Sequence, residues 1–357
     1  MHRILLFAFL LFIGAAGTAK AAEVFELYQS ARFLGMGGAM IAIANDETAL
    51  LANPAGLGRV RGSYGTLFDP EVELGSNGYS MYKAQAFSNP FEPSGIVDTV
   101  NAVRNEWFHA KQQIFPSYVV RNFGIGILAK NEINVRMNEA GTLMETYYHE
   151  DRVAVLGINF RWFDGRVKLG ASLKGISRVE IAADLDTTAS LDIPNVASEG
   201  AAVATDVGLI LTGPWATLPT IAAVLHDVGG TKFTSSSGLR FSGTTRPADI
   251  DQDIDVAVAM FPIHENRIRS AFTVEQKNIK AAAAEDDKSK YLHAGWELNM
   301  YDVLFMRLGM NQRYWTAGFE LASEHTQVQF ASYGEEVGDA TNNLEDRRYV
   351  FKFSFRF

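Results

Sequence analysis

The chain has 357 residues, a formal net charge of −9, 24 phenylalanines, 31 glycines and no cysteine. The acidic balance argues against nucleic acid as a partner, because phosphate backbones bind basic patches. The lack of cysteine excludes disulfides, so an exported protein of this composition needs another framework, such as the closed hydrogen-bond ladder of a β-barrel.

Residues 1–21 have the three parts of a secretory signal peptide. His2 and Arg3 precede an apolar run over residues 4–13, and Ala19-Lys20-Ala21 supplies the small residues of a cleavage site. The run is about half the roughly twenty residues that a transmembrane helix needs. We therefore expect export with cleavage after Ala21, and no transmembrane helix.

The next segment, residues 22–60, does not alternate as a lipid-facing strand does. Its glycines permit tight turns and close packing, and Pro54 forces Asn53 out of the α region. Its charge is modest, so it is able to pack inside a barrel.

From residue 61 to the end, apolar and polar residues alternate with the period of two that is typical of membrane strands. Residues 152–162 alternate in this way, and Asp164-Gly165 then predicts a hairpin turn. The last strand places five aromatic residues on one face and ends on Phe357, which resembles the signal read by the barrel assembly machinery. A soluble β-sandwich also alternates, and sequence alone does not show which face is outside; the signal peptide and Phe357 favour the membrane.

Connection lengths support the same interpretation, because bacterial barrels have short periplasmic turns and longer external loops. Counting back from Phe357 places these connections outside: 334–348, 311–313, 278–289, 228–252, 182–202 and 131–149. It places these inside: 322–324, 299–302, 262–265, 212–218 and 164–165. Only 311–313 is both external and short.

The amino-terminal strands are predicted at 61–68, 77–86 and 116–130, which gives a total of about fourteen. Residues 87–115 are then expected on the periplasmic side or in the lumen. Helical spacing of apolar residues predicts a helix from Gly95 to Gln112 within them. The barrel proper spans residues 61–357.

Seven cations are predicted to face the lumen. They are Arg152, Arg161, Lys168, Lys174, Arg267, Arg269 and Arg307. An apolar ligand tunnel would carry fewer charges, so these side chains favour a carboxylate headgroup, a polar solute or a salt-bridged plug.

Residues 30–57 resemble the FadL-type outer-membrane transporter superfamily. The shared pattern is S-A-R-x-L-G-M-G-G-A, then A-x-A-x-D-x-x-A and N-P-A-G-L. The resemblance implies an all-β, transmembrane antiparallel barrel of fourteen strands whose amino-terminal hatch plugs the lumen. The hatch and gate residues that it implies are Gly35, Gly37, Gly38, Asp46, Asn53, Pro54 and Ala55.

No catalytic or metal motif accompanies this pattern. The histidines lack H-x-x-x-H and H-E-x-x-H spacing, and no G-x-S-x-G elbow is present. We therefore expect neither an enzyme nor a cofactor.

The resemblance implies an outer-membrane channel that passes a hydrophobic or amphipathic molecule by hatch-gated diffusion. Outer-membrane lipid, the assembly machinery and that small ligand are its expected partners. The alternative is a PorV-like binding or shuttle protein for other envelope proteins, with contacts on loops 182–202 and 228–252. A polar porin is a third possibility, against which the amino-terminal plug argues.

Overall fold

The computed structural model describes residues 23–78, 100–101, 103–187, 196–235, 245–264, 267–285, 287–338 and 342–357. The expected signal peptide, residues 79–86 of an expected strand and residues 95–99 of the expected helix lie outside these ranges. Among the described residues, no helix combines the length and apolarity needed to cross a membrane.

The strands of the described ranges close into an antiparallel barrel of fourteen. The first seven are β1 (Ser63–Phe68, continued by Glu71–Gly75), β2 (Trp107–Ile114, continued by Ser117–Val120), β3 (Phe123–Met137), β4 (Leu143–Trp162), β5 (Val167–Asp186), β6 (Ser198–Thr212) and β7 (Thr220–His226). The others are β8 (Asp253–Met260), β9 (Ile268–Gln276), β10 (Leu292–Met300), β11 (Leu304–Asn311), β12 (Tyr314–Ala322), β13 (Thr326–Glu336) and β14 (Glu345–Arg356). Each strand pairs with the next, and β14 pairs with both segments of β1, which closes the barrel.

The remaining elements are short. Thr234–Ser235 pairs with β6 beyond the end of β7. The helices are α1 (Ala31–Leu34), α2 (Ala49–Ala52) and α3 (Ile279–Ala284), and the 3₁₀ helices are Pro54–Arg59, Phe163–Gly165 and Lys288–Tyr291.

The residue types on the exposed and buried faces of the wall show whether water or lipid surrounds the barrel. In β14, Tyr349 and Phe351 are about half exposed at 45% and 51%, whereas Arg348 and Lys352 are buried. A soluble barrel would show the reverse, because burying charge and exposing aromatic surface both cost free energy in water. The wall is therefore that of a membrane barrel with a polar interior.

The two ends of the barrel differ as the sequence predicts. Short turns join the strands at one end, for example residues 163–166 and 301–303. Longer connections join them at the other end, for example residues 227–252 and 277–291, although residues 138–142 and 312–313 are short connections there.

The adjacent strands β1 and β2 are each interrupted by a proline. Pro70 and Pro116 lack the N–H that a ladder needs, and each stands between the two segments of its strand. Asp69 supplies a hydrogen bond at this break in the ladder, because its Oδ1 accepts the backbone N–H of Phe115 at 2.6 Å. Its Oδ2 lies 3.2 Å from Lys352 Nζ.

The predicted amino-terminal strands need correction. The single strand expected at 116–130 is the end of β2, a turn at Asn122 in the left-handed region (φ 72°), and the start of β3. The strand expected at 77–86 does not begin in the described residues, because the chain leaves the sheet after Gly75. The excursion expected at 131–149 consists of the extended ends of β3 and β4.

The expectation for residues 87–115 is also wrong where the structure describes them. Trp107–Ile114 is a wall strand paired with β1 and β3, not part of a helix. The connection between β1 and β2 leaves the wall at Gly75 and returns at Trp107, and both residues lie at the end of the barrel that has the long connections. Helical spacing concealed the strand because its outward Phe108 and Ala110 are buried, and its inward face carries His109 and Lys111.

Candidate functional site

The amino-terminal segment (residues 23–60) lies inside the barrel. Between Ser30 and Gly58, only Arg32, Asn45 and Asp46 retain appreciable exposure. Most of its apolar side chains form one cluster with inward residues of β3 to β8, whereas Ala31 and Leu34 pack in a second cluster with residues of β13 and β14. The lumen is therefore filled at the level of this segment.

Glycines of the inner wall receive the Asn53-Pro54-Ala55 motif. A Cβ on Gly170 would collide with the Pro54 carbonyl, and one on Gly208 would collide with the Asn53 side chain. Asn53 also organises the segment itself: its Oδ1 accepts the Ala55 N–H at 3.0 Å, and its Nδ2 donates to the Ile41 carbonyl at 2.8 Å. This is the N-cap arrangement that starts the 3₁₀ helix Pro54–Arg59.

A second set of wall glycines receives residues 35–38. Gly37 and Gly38 have φ of 71° and 79°, a region that favours glycine. The backbone of Met36 and Gly37 lies against Gly295 and Gly309, where an added Cβ would collide with it. The Gly37 N–H donates to Thr316 Oγ1 at 2.9 Å.

Arg32 links the segment to the wall. It donates to both oxygens of Glu297 at 3.1 and 3.0 Å and lies 2.9 Å from Asp46 Oδ2. Arg307 also donates to Glu297, at 2.8 Å, and pairs with Glu320. Burial alone would raise the pKa of Asp46, but the charges of Arg32 and Arg356 and the hydrogen bonds from Thr48 together outweigh burial and lower that pKa.

Further ion pairs join acidic residues of the segment to cations of the barrel. Glu23 binds Arg348 at 2.6 Å, Glu26 binds Lys277 at 2.6 Å and Glu47 binds Arg356 at 2.5 Å. The interface between segment and wall is thus apolar at the glycines and ionic around them.

Three of the seven predicted lumen cations lie buried inside the barrel: Lys168, Lys174 and Arg307. Lys174 pairs with Asp206 at 2.8 Å and with Asp227 at 3.4 Å. Arg161 is on the inner face of β4 but is exposed at the short-turn end.

The other predicted cations lie elsewhere. Arg267 and Arg269 are at the short-turn end, where both pair with Asp302. Arg152 faces outward, with its side chain 46% exposed and 2.8 Å from Glu150. The placement of Arg152 in the lumen was wrong because it shares the even register of Ala154 and therefore the same face.

The seven hatch candidates all belong to this lumenal segment, and the structure also adds residues that sequence reasoning had not assigned to the site. Arg32 is part of the family pattern, and Glu297 and Glu320 lie on predicted polar strand faces, but only the folded barrel brings them together. Phe357, the expected assembly signal, is exposed and packs edge-on against Phe355 with ring centres 5.0 Å apart.

A cavity of about 90 Å³ remains between the start of the segment and the wall toward the long connections. Phe25 lies at its edge, with Lys130 Nζ 4.2 Å and the Arg178 guanidinium 4.6 Å from its ring centre. Trp107 and Tyr147 also line it. An engineered cavity of roughly 150 Å³ holds benzene, so the present space is smaller than a one-ring ligand needs.

The described residues contain no group of three side chains suited to hold a metal ion. At the opposite end of the segment, burial lowers the pKa of Arg59 to about 10. Its partners are neutral: the Ala42 carbonyl, Thr220 Oγ1 at 3.2 Å and the Phe261 ring at 5.1 Å.

No family model and no curated protein sequence matches the chain. Among solved structures it is similar to the CymD monoaromatic hydrocarbon channel, at 13% identity and a TM-score of 0.53 over 91% of this chain and 96% of that one. It is also similar to the Pseudomonas putida toluene transporter TodX, at 12% identity and a TM-score of 0.54 over 94% and 99%. At these identities the likeness is one of fold alone, and the fold that this chain shares with the two channels is the closed antiparallel barrel described above.

Proposed function

We propose that this barrel, with its FadL-type fold, is an outer-membrane channel that passes small hydrophobic or amphipathic molecules, and that residues 30–57 are its hatch. The observation that carries the proposal is the interface between the segment and the wall. Glycine-lined grooves give the backbone a fixed seat, while ion pairs such as Arg32–Glu297 hold it by contacts that water is able to replace.

The ionic contacts suit a hatch because they combine specificity with reversibility. A buried ion pair adds little net stability relative to apolar packing, since desolvation offsets much of the attraction. Water that enters the lumen raises the effective dielectric and weakens the pair further. A ligand would enter from the long-connection end, reach the cavity beside Phe25, and pass when the hatch shifts.

The size of that cavity restricts the ligand in the closed state. Its 90 Å³ holds no long acyl chain, so the hatch must move before a ligand of one ring or more is accommodated. Small monoaromatic or short-chain amphipathic molecules are the class we propose. The charges of Lys130 and Arg178 beside Phe25 favour ligands with a polar end.

Solute flux into proteoliposomes tests the hatch. We expect Arg32→Ala to raise toluene or octanoate flux roughly tenfold or more, because it leaves Glu297 and Asp46 without this guanidinium in the closed state, and a buried charge that loses its partner costs a few kcal/mol. Arg152→Ala is the matched control, since it removes an ion-paired arginine from the outward face. Equal flux through the wild type and Arg32→Ala would contradict gating by this segment.

A second function has one observation in its favour. The described lumen is charged and largely filled, which also suits a PorV-like binding or shuttle protein. Native mass spectrometry of barrels purified from the outer membrane separates the two. A co-purifying small amphiphile supports the channel, whereas a bound envelope protein supports the shuttle.

A further inference from the structure

Two cations face each other on the inner wall near the short-turn end. Arg161 of β4 and Lys168 of β5 are direct cross-strand partners, beside the turn that contains Gly165. Like charges placed directly opposite are destabilising. A bound anion would therefore stabilise this arrangement.

The described residues do not supply that anion. Lys168 is 5% exposed, and its ammonium donates only to the Gly165 carbonyl, which leaves two of its three donors unused. No described carboxylate forms an ion pair with Lys168 or Arg161. Lys174, six residues further along the strand on the same inner face, pairs with Asp206 at 2.8 Å.

A third cation borders the same place. Gly58 packs against the Cδ of Lys168 and the side chain of Asn159, and Arg59 follows it directly. Arg59 also lacks a carboxylate among the described residues, since its contacts are Ala42, Thr220 and Phe261. Three cations without a described carboxylate partner thus border the end of the 3₁₀ helix of the hatch.

Apolar residues lie on the other side of this cluster. Leu50 and Leu57 pack on Gly157 of β4, one inward position beyond Asn159. A bound molecule would therefore meet cations at the short-turn mouth and leucines deeper in the lumen. This arrangement of cations at one end and apolar side chains at the other matches an amphipathic anion better than a free inorganic ion.

We propose that Arg161, Lys168 and Arg59 form a binding site for the oxyanion group, carboxylate or phosphate, of an amphipathic molecule at the short-turn end of the lumen. Arg161 is exposed with the hatch in place, whereas the apolar part of a ligand reaches Leu50 and Leu57, which are fully buried, only when the hatch shifts. The proposal suits a channel and a shuttle alike. It lies at the opposite end of the amino-terminal segment from the cavity beside Phe25.

The test is an anion-linked thermal shift and calorimetric titration on the full-length barrel in a neutral detergent. The probes are octanoate, inorganic phosphate and uncharged octanol. We expect octanoate or phosphate to bind and to raise the Tm, since a ligand that binds only the folded state stabilises it. Octanol should bind at least tenfold more weakly than octanoate.

Lys168→Met and Arg161→Gln should each weaken anion binding on the order of tenfold, the magnitude of one charge-assisted hydrogen bond. Arg152→Gln, an outward arginine on the same strand, should bind as the wild type does. Without anion, Lys168→Met should melt no lower than the wild type, because it removes an uncompensated buried charge.

The probes also distinguish the two possible oxyanion groups, a carboxylate and a phosphate. Tighter binding of octanoate than of phosphate assigns the site to an amphipathic carboxylate, and the reverse order assigns it to a phosphate group. The proposal is overturned if neither anion binds the wild type, or if Lys168→Met and Arg161→Gln bind both as tightly as the wild type.

Discussion

At the scale of single residues, wall glycines decide where the amino-terminal segment lies. Gly170 and Gly208 have no side chain at the points where Pro54 and Asn53 approach the inner face. Small size at these positions matters more than backbone freedom, because the glycines belong to extended strands.

The variant Gly170→Ala tests whether the missing side chain at this position is needed for Pro54 to pack against the wall. The added methyl group would collide with the Pro54 carbonyl, and overpacking of this kind costs about 1–3 kcal/mol. We expect a loss of that size in the free energy of unfolding, together with faster proteolysis within residues 30–57. Gly175→Ala on the same strand is the control, because an added Cβ there meets nothing within 4 Å; equal effects of the two changes would argue against a seat.

Sequence reasoning at this scale failed where the register was misassigned. The resemblance implied that Asn53, Pro54 and Ala55 belong to the hatch, which stays a prediction; in the structure Asn53 caps the helix that follows. Arg152 was assigned to the wrong face although its even number placed it with Ala154. The partners of Lys174 were out of reach, because Asp206 and Asp227 are distant in sequence.

At the scale of elements, the paired breaks in β1 and β2 distinguish one side of the wall. Pro70 and Pro116 lie in adjacent strands, and Asp69 spans the gap by accepting the Phe115 N–H at 2.6 Å. The same carboxylate neutralises Lys352 at 3.2 Å. Asp69 thus replaces a ladder hydrogen bond and compensates a buried charge.

Asp69→Ala should therefore destabilise the barrel by about 3 kcal/mol or more, the usual cost of leaving a buried charge without its partner. Asp69→Asn should cost less, because its side-chain oxygen still accepts the Phe115 N–H. Denaturant unfolding of both variants gives the comparison. Equal losses would mean that the hydrogen bond contributes nothing and only the charge matters.

These breaks also explain why strand prediction was good from β4 onward and poor before it. The later strands alternate without interruption between clear turns, so period two locates them. In β1 and β2 each proline divides a strand into pieces too short to show a period. Burial of Phe108 and Ala110 on the outward face removes the usual contrast as well.

At the scale of the whole molecule, the barrel and the segment inside it are held by different interactions. The wall is a closed ladder of backbone hydrogen bonds that does not include residues 23–60. The segment is attached through side chains, such as Glu23–Arg348 and Glu47–Arg356. Removing it should empty the lumen without opening the wall.

Deletion of residues 30–57 should therefore retain the β-sheet signal in circular dichroism and the membrane insertion of the barrel. We expect a lower Tm, since the apolar cluster and the wall cations lose their partners, and a large rise in single-channel conductance. Loss of the sheet signal would show that the segment is required for the barrel itself. Unchanged conductance would show that another part of the chain closes the lumen.

The seat of the amino-terminal segment also bears on how the barrel assembles. Each strand pairs with its successor except at the seam, where β14 must find β1 across nearly the whole chain, a closure that carries a large entropy cost. The segment binds both edges of that seam: the Ala31 N–H donates to Glu71 of β1 at 3.1 Å, and Glu47 pairs with Arg356 of β14. In the folded barrel the segment therefore bridges the first and last strands, so its contacts add to the closure that the seam hydrogen bonds provide.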